Sequence, residues 1–165
     1  MSISLKHQMK IKTQYENVKG FNKASLNTLI RKLVDFVDDE LKISKESNRE
    51  LSVLFTDNKK IKELNYKYRK LSEETNVLSF PQNFLIKGIN KKTIILGDIV
   101  ISLEKIKLEA KLQSKNFLDH FTHIFLHGYM HLLGFNHIKR VEAQKMEETE
   151  IKILSKLAIS NPYIK

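Results

Sequence analysis

The chain reads as an α/β (α+β) fold, a small mixed sheet packed with about five helices. Three observations predict it. Short strand-like runs alternate with amphipathic helical stripes through the first part of the sequence, and the last part is almost wholly helical in pattern. No internal repeat, linker or low-complexity stretch interrupts this order. The 165 residues are enough for one domain with a buried core, and residues 1–165 are read as a single domain.

The elements follow in order. MSISLKHQMKIK alternates Ile3, Leu5, His7, Met9 and Ile11, the period of an opening strand. From Lys23 to Glu40 the apolar residues Leu26, Leu29, Ile30, Leu33, Phe36 and Val37 form a helical stripe. SNRE turns the chain into LSVLF (51–55), a short apolar strand. Thr56 or Asp57 can cap the next helix, whose inward positions are Ile61, Leu64 and Tyr68. NVLSF (76–80) is a strand that Pro81 ends or places at a sheet edge. Residues 82–92 connect it, as a loop or hairpin, to TIILGDIVI (93–101), a strand interrupted by Gly97 and Asp98. Ser102 can cap a helix to about Lys115, and residues 119–132 continue as a mostly apolar helix that Gly134 ends. A charged final helix spans 142–157, with Met146, Ile153 and Leu157 on its apolar side.

Composition narrows the chemistry. The chain is 41% apolar and 29% charged, ordinary for a globular protein. No run approaches the length of a membrane span, and MSISLKHQMK lacks the apolar stretch of a signal peptide. Cysteine is absent, which excludes disulfides and thiolate metal sites. Any metal is therefore held by nitrogen or oxygen. A net charge of +10 suits a polyanionic partner such as nucleic acid, although a general lysine-rich habit produces the same number.

The stretch HGYMHLLGFNH (127–137) concentrates the chemistry. His127 and His131 share one helix face, and Gly134 lets the backbone reverse so that His137 can return beside them. Three neutral imidazoles with a fourth position left to water make a zinc site of catalytic type. A fourth protein ligand (His120, His123 or a distant carboxylate) would make it a closed, structural one. His123, one turn before His127, is expected to support the site or pack beside it. His120 is expected on the solvated face, and His7 on a strand face without function. The spacing H-x-x-x-H-x-x-G-x-x-H is also that of metzincin proteases, but their general-base glutamate is replaced here by Gly128. Glycine cannot take a proton from water.

HGYMHLLGFNH resembles the metal motif of the YbeY family, single-metal endoribonucleases of bacteria, which runs H-G-x-L-H-L-x-G-Y-D-H. LNYKYRKLSEETNVLSFP (64–81) is similar to a second family block, LGDIVIS (96–102) to a third, and EAQKMEETE to the family's last helix. The resemblance implies an α/β fold of mixed sheet and helices, with His127, His131 and His137 as zinc ligands and Arg69 as a residue of the active site. It implies a cytoplasmic enzyme of ribosomal RNA maturation, notably at the 3′ end of the small-subunit RNA, with a part in ribosome quality control. It further implies the small ribosomal subunit as partner, with a ribosomal protein or a GTPase for delivery. Asn136 stands where the motif usually has aspartate, which removes a charge beside the site, and His120 stands where an acidic residue is common.

Within that frame Arg69 is expected to hold the phosphate through its planar fork of donors. Thr75, Asn76 and Ser79 are candidate groove-lining groups, and Glu74 a candidate proton carrier. Asp98 could orient a histidine or cap a turn beside Gly97. Lys59, Lys60, Lys67, Lys70, Lys91 and Lys92 could track an RNA backbone without reading its sequence. Two other functions remain open at this level: a metalloprotease with a substitute base, and a non-catalytic ribosome-binding zinc protein.

Overall fold

The structure is a computed structural model that describes residues 9–44, 47–87 and 92–164. The first part of the expected opening strand, with His7, lies outside the described residues, as does Lys91. Strand β1 (Met9–Tyr15) keeps the expected alternation, with Met9, Ile11, Thr13 and Tyr15 half-buried between exposed neighbours. It leads through Asn22, whose side chain accepts from Ser25 N (3.0 Å), into helix α1 (Lys23–Glu40). Strand β2 (Asn48–Thr56) follows, then helix α2 (Asn58–Arg69), capped by Asp57. Strands β3 (Val77–Lys87) and β4 (Lys92–Ser102) come next. Helices α3 (Leu103–Leu112), α4 (Phe117–Leu132) and α5 (Arg140–Lys156) complete the described chain.

The strands form one mixed sheet in the order β1-β2-β4-β3. β1, β2 and β4 run parallel, and β3 is antiparallel to β4. Strand alternation divides the apolar residues between two faces. Leu51, Val53, Phe55, Ile99 and Ile101 join the main core with residues of α1, α3, α4 and α5. Leu54, Leu78, Phe80 and Val100 point the other way and pack with Ile61 and Leu64 of α2. Four helices thus cover one face and a single helix the other.

One expectation about element limits is corrected. β3 does not stop at Pro81 but continues to Lys87. Pro81 is tolerated because β3 is an edge strand and the β3–β4 register shifts between Pro81 and Phe84. Opposite that shift, Gly97 has φ +137°, and a Cβ there would lie 2.2 Å from the Phe80 carbonyl oxygen. The β2–β4 register also shifts here, so that Ile94 and Leu96 face the main core before the irregularity and Ile99 and Ile101 after it. α3 and α4 are separate helices, in keeping with the expected limits near Lys115 and Asp119. Ser114 takes φ +52° between them, and Asn116 caps the new helix by accepting from Leu118 N (2.8 Å) and Asp119 N (3.4 Å).

One polar group inside the main core was not expected. Asp38 of α1 and Arg49 of β2 form a buried ion pair through both guanidinium nitrogens, and the Tyr129 hydroxyl of α4 donates to Asp38 Oδ1 (2.7 Å). Burial and the adjoining carboxylate push the Tyr129 phenol up. The network ties the consecutive elements α1 and β2 to the distant helix α4. Asp38→Ala leaves a buried guanidinium unpaired and is expected to cost about 3–5 kcal/mol. Tyr129→Phe removes one of several bonds and is expected to cost about 1–3 kcal/mol. Urea unfolding of the two variants beside the parent checks both the values and their order.

Candidate metal centre

Helix α4 carries the site because its histidines recur at helical spacing. His123, His127 and His131 follow one another along one side, and each is half-buried. The helix stops at Leu133, and Gly134 reverses the chain with φ +95°. A Cβ on Gly134 would meet nothing within 4 Å, so the glycine serves backbone conformation rather than space. The reversal brings the exposed His137 ring to 4.9 Å from that of His131 and 5.6 Å from that of His127, which are themselves 4.7 Å apart. One ligand nitrogen from each of the three lies within 4.8 Å of the others.

Hydrogen bonds decide which nitrogens converge. His127 Nδ1 lies 2.7 Å from Glu150 Oε1, and His131 Nδ1 lies 3.0 Å from the Phe135 carbonyl oxygen. Carboxylate and carbonyl accept only, so both Nδ1 atoms carry hydrogen and donate. In the neutral rings the two Nε2 atoms are then lone pairs, and they face each other at 3.1 Å. Two acceptors at that distance repel unless a cation lies between them. Histidine ligands whose second nitrogen donates to a carboxylate or carbonyl are the ordinary arrangement around a transition metal. The residues present therefore fit a metal ion with three imidazole ligands.

Glu150 was not foreseen, yet it organises the site. Its side chain is 0% exposed. Oε1 accepts from His127, Oε2 accepts from the Tyr163 hydroxyl, and His123 Nε2 stands 3.6 Å from Oε2. Burial alone would raise this carboxyl, but the imidazoles of His123 and His127 outweigh it and hold the group down at about 2. Burial, with the neighbouring His127 and His137, also pushes His131 down to about 4. A signal existed in the sequence. Glu150 falls on the apolar stripe of α5, one turn after Met146 and one before Ile153, where a carboxylate needs a partner.

The three histidines open into a cleft of about 730 Å³. Arg69, Thr75, Asn76, Ser79 and His123 line the same cleft, so most of the candidate residues meet. Arg69, at the end of α2, is exposed and has no hydrogen bond or ion pair among the described residues. Ser79 donates to the Gly128 carbonyl (3.0 Å), tying β3 to α4. Asn76 gives its amide to Glu109 (3.0 Å), and the Thr75 hydroxyl lies 3.4 Å from the Val77 carbonyl.

Other candidates lie elsewhere. Asp98 lines a different cavity with residues of α2 and accepts from Gln82 Nε2 (2.7 Å), because the irregularity at Gly97 turns it to the α2 face. Asn136 faces a third cavity, and its side chain accepts from Ile138 N (3.3 Å) in the turn that carries His137. Glu74 is exposed, 3.8 Å from the Lys105 ammonium. Lys60 stands 3.8 Å from Glu16. His120 is not solvated: it is 5% exposed and its Nε2 meets Glu109 Oε2 at 2.8 Å. Tyr68, expected inward, is 56% exposed at the cleft.

Gly128 acquires a reason. It is buried, and an added Cβ would stand 3.0 Å from Val77 Cγ2 and 3.1 Å from Ser79 Oγ. The residue after His127 therefore faces β3 at close range, and a side chain there requires Val77 and Ser79 to give way by a few tenths of an ångström.

Comparison with known proteins agrees with this geometry. The family model for endoribonuclease YbeY matches residues 9–158. The chain belongs to the YbeY family. It is 41% identical over 148 residues to the endoribonuclease YbeY of Bartonella bacilliformis, covering 90% of this chain and 92% of that one. It is 40% identical over 149 residues to that of Agrobacterium fabrum, covering 90% and 86%. The solution structure of a Thermotoga maritima protein, 19% identical, superposes with a TM-score of 0.54 over 96% of this chain and supports the fold.

Two outcomes follow for the YbeY-family centre. Glu150→Ala frees the His127 ring and is expected to weaken metal binding about 10–100-fold, with Glu150→Gln losing less. Competition against a chromophoric chelator measures this. In the metal-free protein the folded value for His131 is below its ordinary 6.5, so the unfolded chain binds more protons between about 4 and 6.5. Stability is therefore expected to fall as pH drops through that window, and His131→Gln is expected to flatten the slope in urea titrations.

Proposed function

We propose that this chain is a zinc-dependent endoribonuclease that hydrolyses phosphodiester bonds of single-stranded ribosomal RNA. Its place is maturation of the small-subunit RNA 3′ end and ribosome quality control in the cytoplasm, with residues 1–165 acting as one domain. The reading rests on one observation above all: three imidazole nitrogens converge in a cleft that also presents an unpartnered arginine, in a chain of the YbeY family. Among the described residues no helix is long and apolar enough to cross a membrane.

His127, His131 and His137 would hold the ion. When bound, it supplies Lewis acidity toward water and a phosphoryl oxygen. The donor set of imidazoles without sulfur suits zinc, and nickel or another borderline divalent metal would also fit. Glu150 and the Phe135 carbonyl keep the His127 and His131 rings in the tautomer that presents Nε2. Arg69 offers two parallel N–H donors to the phosphate whose charge grows as the bond breaks. Lys67 and Lys70, beside Arg69 at the end of α2, meet neighbouring phosphates as unspecific charges. The net charge of +10 favours the same polyanion. Small-subunit RNA within the ribosomal particle is the substrate, delivered with a ribosomal protein or a GTPase.

The protease alternative needs a base beside His127, and Gly128 packs against β3 instead. A purely structural ion would be closed by a fourth protein ligand, whereas the cluster among the described residues has three and lies open to the cleft.

The test is cleavage of a labelled single-stranded fragment of the small-subunit RNA 3′ end. His127→Ala is expected to lose metal and cleavage while keeping its helical circular dichroism. Arg69→Ala is expected to keep metal and lose about 100-fold or more in kcat, the scale of one transition-state donor. Equal cleavage by parent and His127→Ala would place the activity elsewhere. Unchanged cleavage by Arg69→Ala would remove that residue from the site.

A further inference from the structure

We infer that Tyr68 is a stacking platform for one nucleobase of the bound strand, an inference that rests on the single-stranded RNA reading of the same cleft. Helix α2 exposes two tyrosines two positions apart, Tyr66 at 59% and Tyr68 at 56%. Only Tyr68 lines the histidine cleft, next to Arg69. A ring more than half open at the wall of the cleft leaves aromatic surface available to a planar ligand there.

The ring is also held still. Its centroid lies 5.0 Å from that of Phe80 on β3, with the planes at 64°, an edge-on contact that steadies it without covering it fully. The Lys67 ammonium lies over one face of the ring, 5.1 Å from its centroid, so a base takes the other face or displaces the lysine toward a phosphate. No hydrogen bond of the phenol occurs among the described residues, so nothing in the fold uses its hydroxyl. A flat, exposed, positioned ring between a lysine and an arginine matches what single-stranded nucleic acid needs: a π-face for a base and cations for the flanking phosphates. Stacking of this kind tolerates any base, so Tyr68 would set where a nucleotide rests relative to the histidines without reading its identity. Tyr66 has the same residue type, helix and exposure, with Lys70 at 6.0 Å from its ring, but lies off the cleft.

The experiment measures binding of a short fluorescent single-stranded RNA by anisotropy, using the metal-loaded full chain. Parent, Tyr68→Ala, Tyr68→Phe and Tyr66→Ala are each tested against the intact oligonucleotide and a series with one abasic position moved along it. Tyr68→Ala is expected to weaken binding about tenfold, Tyr68→Phe and Tyr66→Ala less than about twofold. The parent is expected to lose a similar factor at one abasic position, and Tyr68→Ala to lose nothing further there. Metal content and thermal midpoint, read on every variant, show whether Tyr68→Ala remains intact; if it does not, Tyr68→Phe and Tyr68→Leu carry the comparison of ring against no ring. Equal losses for Tyr66→Ala and Tyr68→Ala, or an abasic penalty unaltered by Tyr68→Ala, overturn the inference, as does absence of binding by the parent. Binding with the expected pattern but no cleavage would leave the platform standing and remove the endoribonuclease reading.

Discussion

The buried carboxylate of Glu150 is the contact on which the metal centre depends. It joins three parts of the chain: α4 through His127, the segment after α5 through Tyr163, and α5 itself. A carboxylate with no exposed surface is costly in an apolar interior unless hydrogen bonds satisfy both oxygens, and both are satisfied here. The same bonds settle the His127 tautomer. Chemistry at the cleft is thus prepared by a group that never reaches solvent, and the packing of α5 against α4 becomes part of the site.

A similar logic extends outward. Polar side chains buried at element junctions take partners from distant sequence and so define how those elements sit. Asp38, Arg49 and Tyr129 link α1, β2 and α4, and Glu109 gathers His120 from α4 and Asn76 from the start of β3. Ser79 adds a bond from β3 to the Gly128 carbonyl. Helix α4 is therefore fixed along its length by polar contacts as well as by Phe121, Phe125 and Leu132 in the main core. Rigidity of that helix is what lets side chains one and two turns apart present their nitrogens to a common point.

The edge strand β3 gives the cleft its second role. Its pairing with β4 shifts register between Pro81 and Phe84 and then resumes to Lys87, while Val77 to Pro81 line the cleft. Gly128 permits the close approach of α4 to this strand. The residue that removes the protease base is the residue that lets helix and strand meet. The same glycine therefore bears on packing as well as on chemistry.

Local pattern was enough for much of this. Helical stripes located α1, α2 and α5, alternation located β1, a short apolar run located β2, and Asp57 and Ser102 located caps, because each depends on neighbours within one turn or one strand. The three-histidine cluster was legible for the same reason: helix periodicity and one glycine determine it. Continuation of β3 through Pro81 and the outward turn of Asp98 were not, since each is imposed by pairing or packing with a distant segment. Burial of His120 and Glu150, and exposure of Tyr68, were decided only when helices docked. By itself the sequence determined which three histidines come together and where the helix that carries two of them ends. Tertiary structure alone decided the His127 tautomer, the depressed values of His131 and Glu150, and which other side chains share the cleft, because the first depends on Glu150, 23 residues away in the chain, and the others on burial and neighbours that local pattern cannot describe.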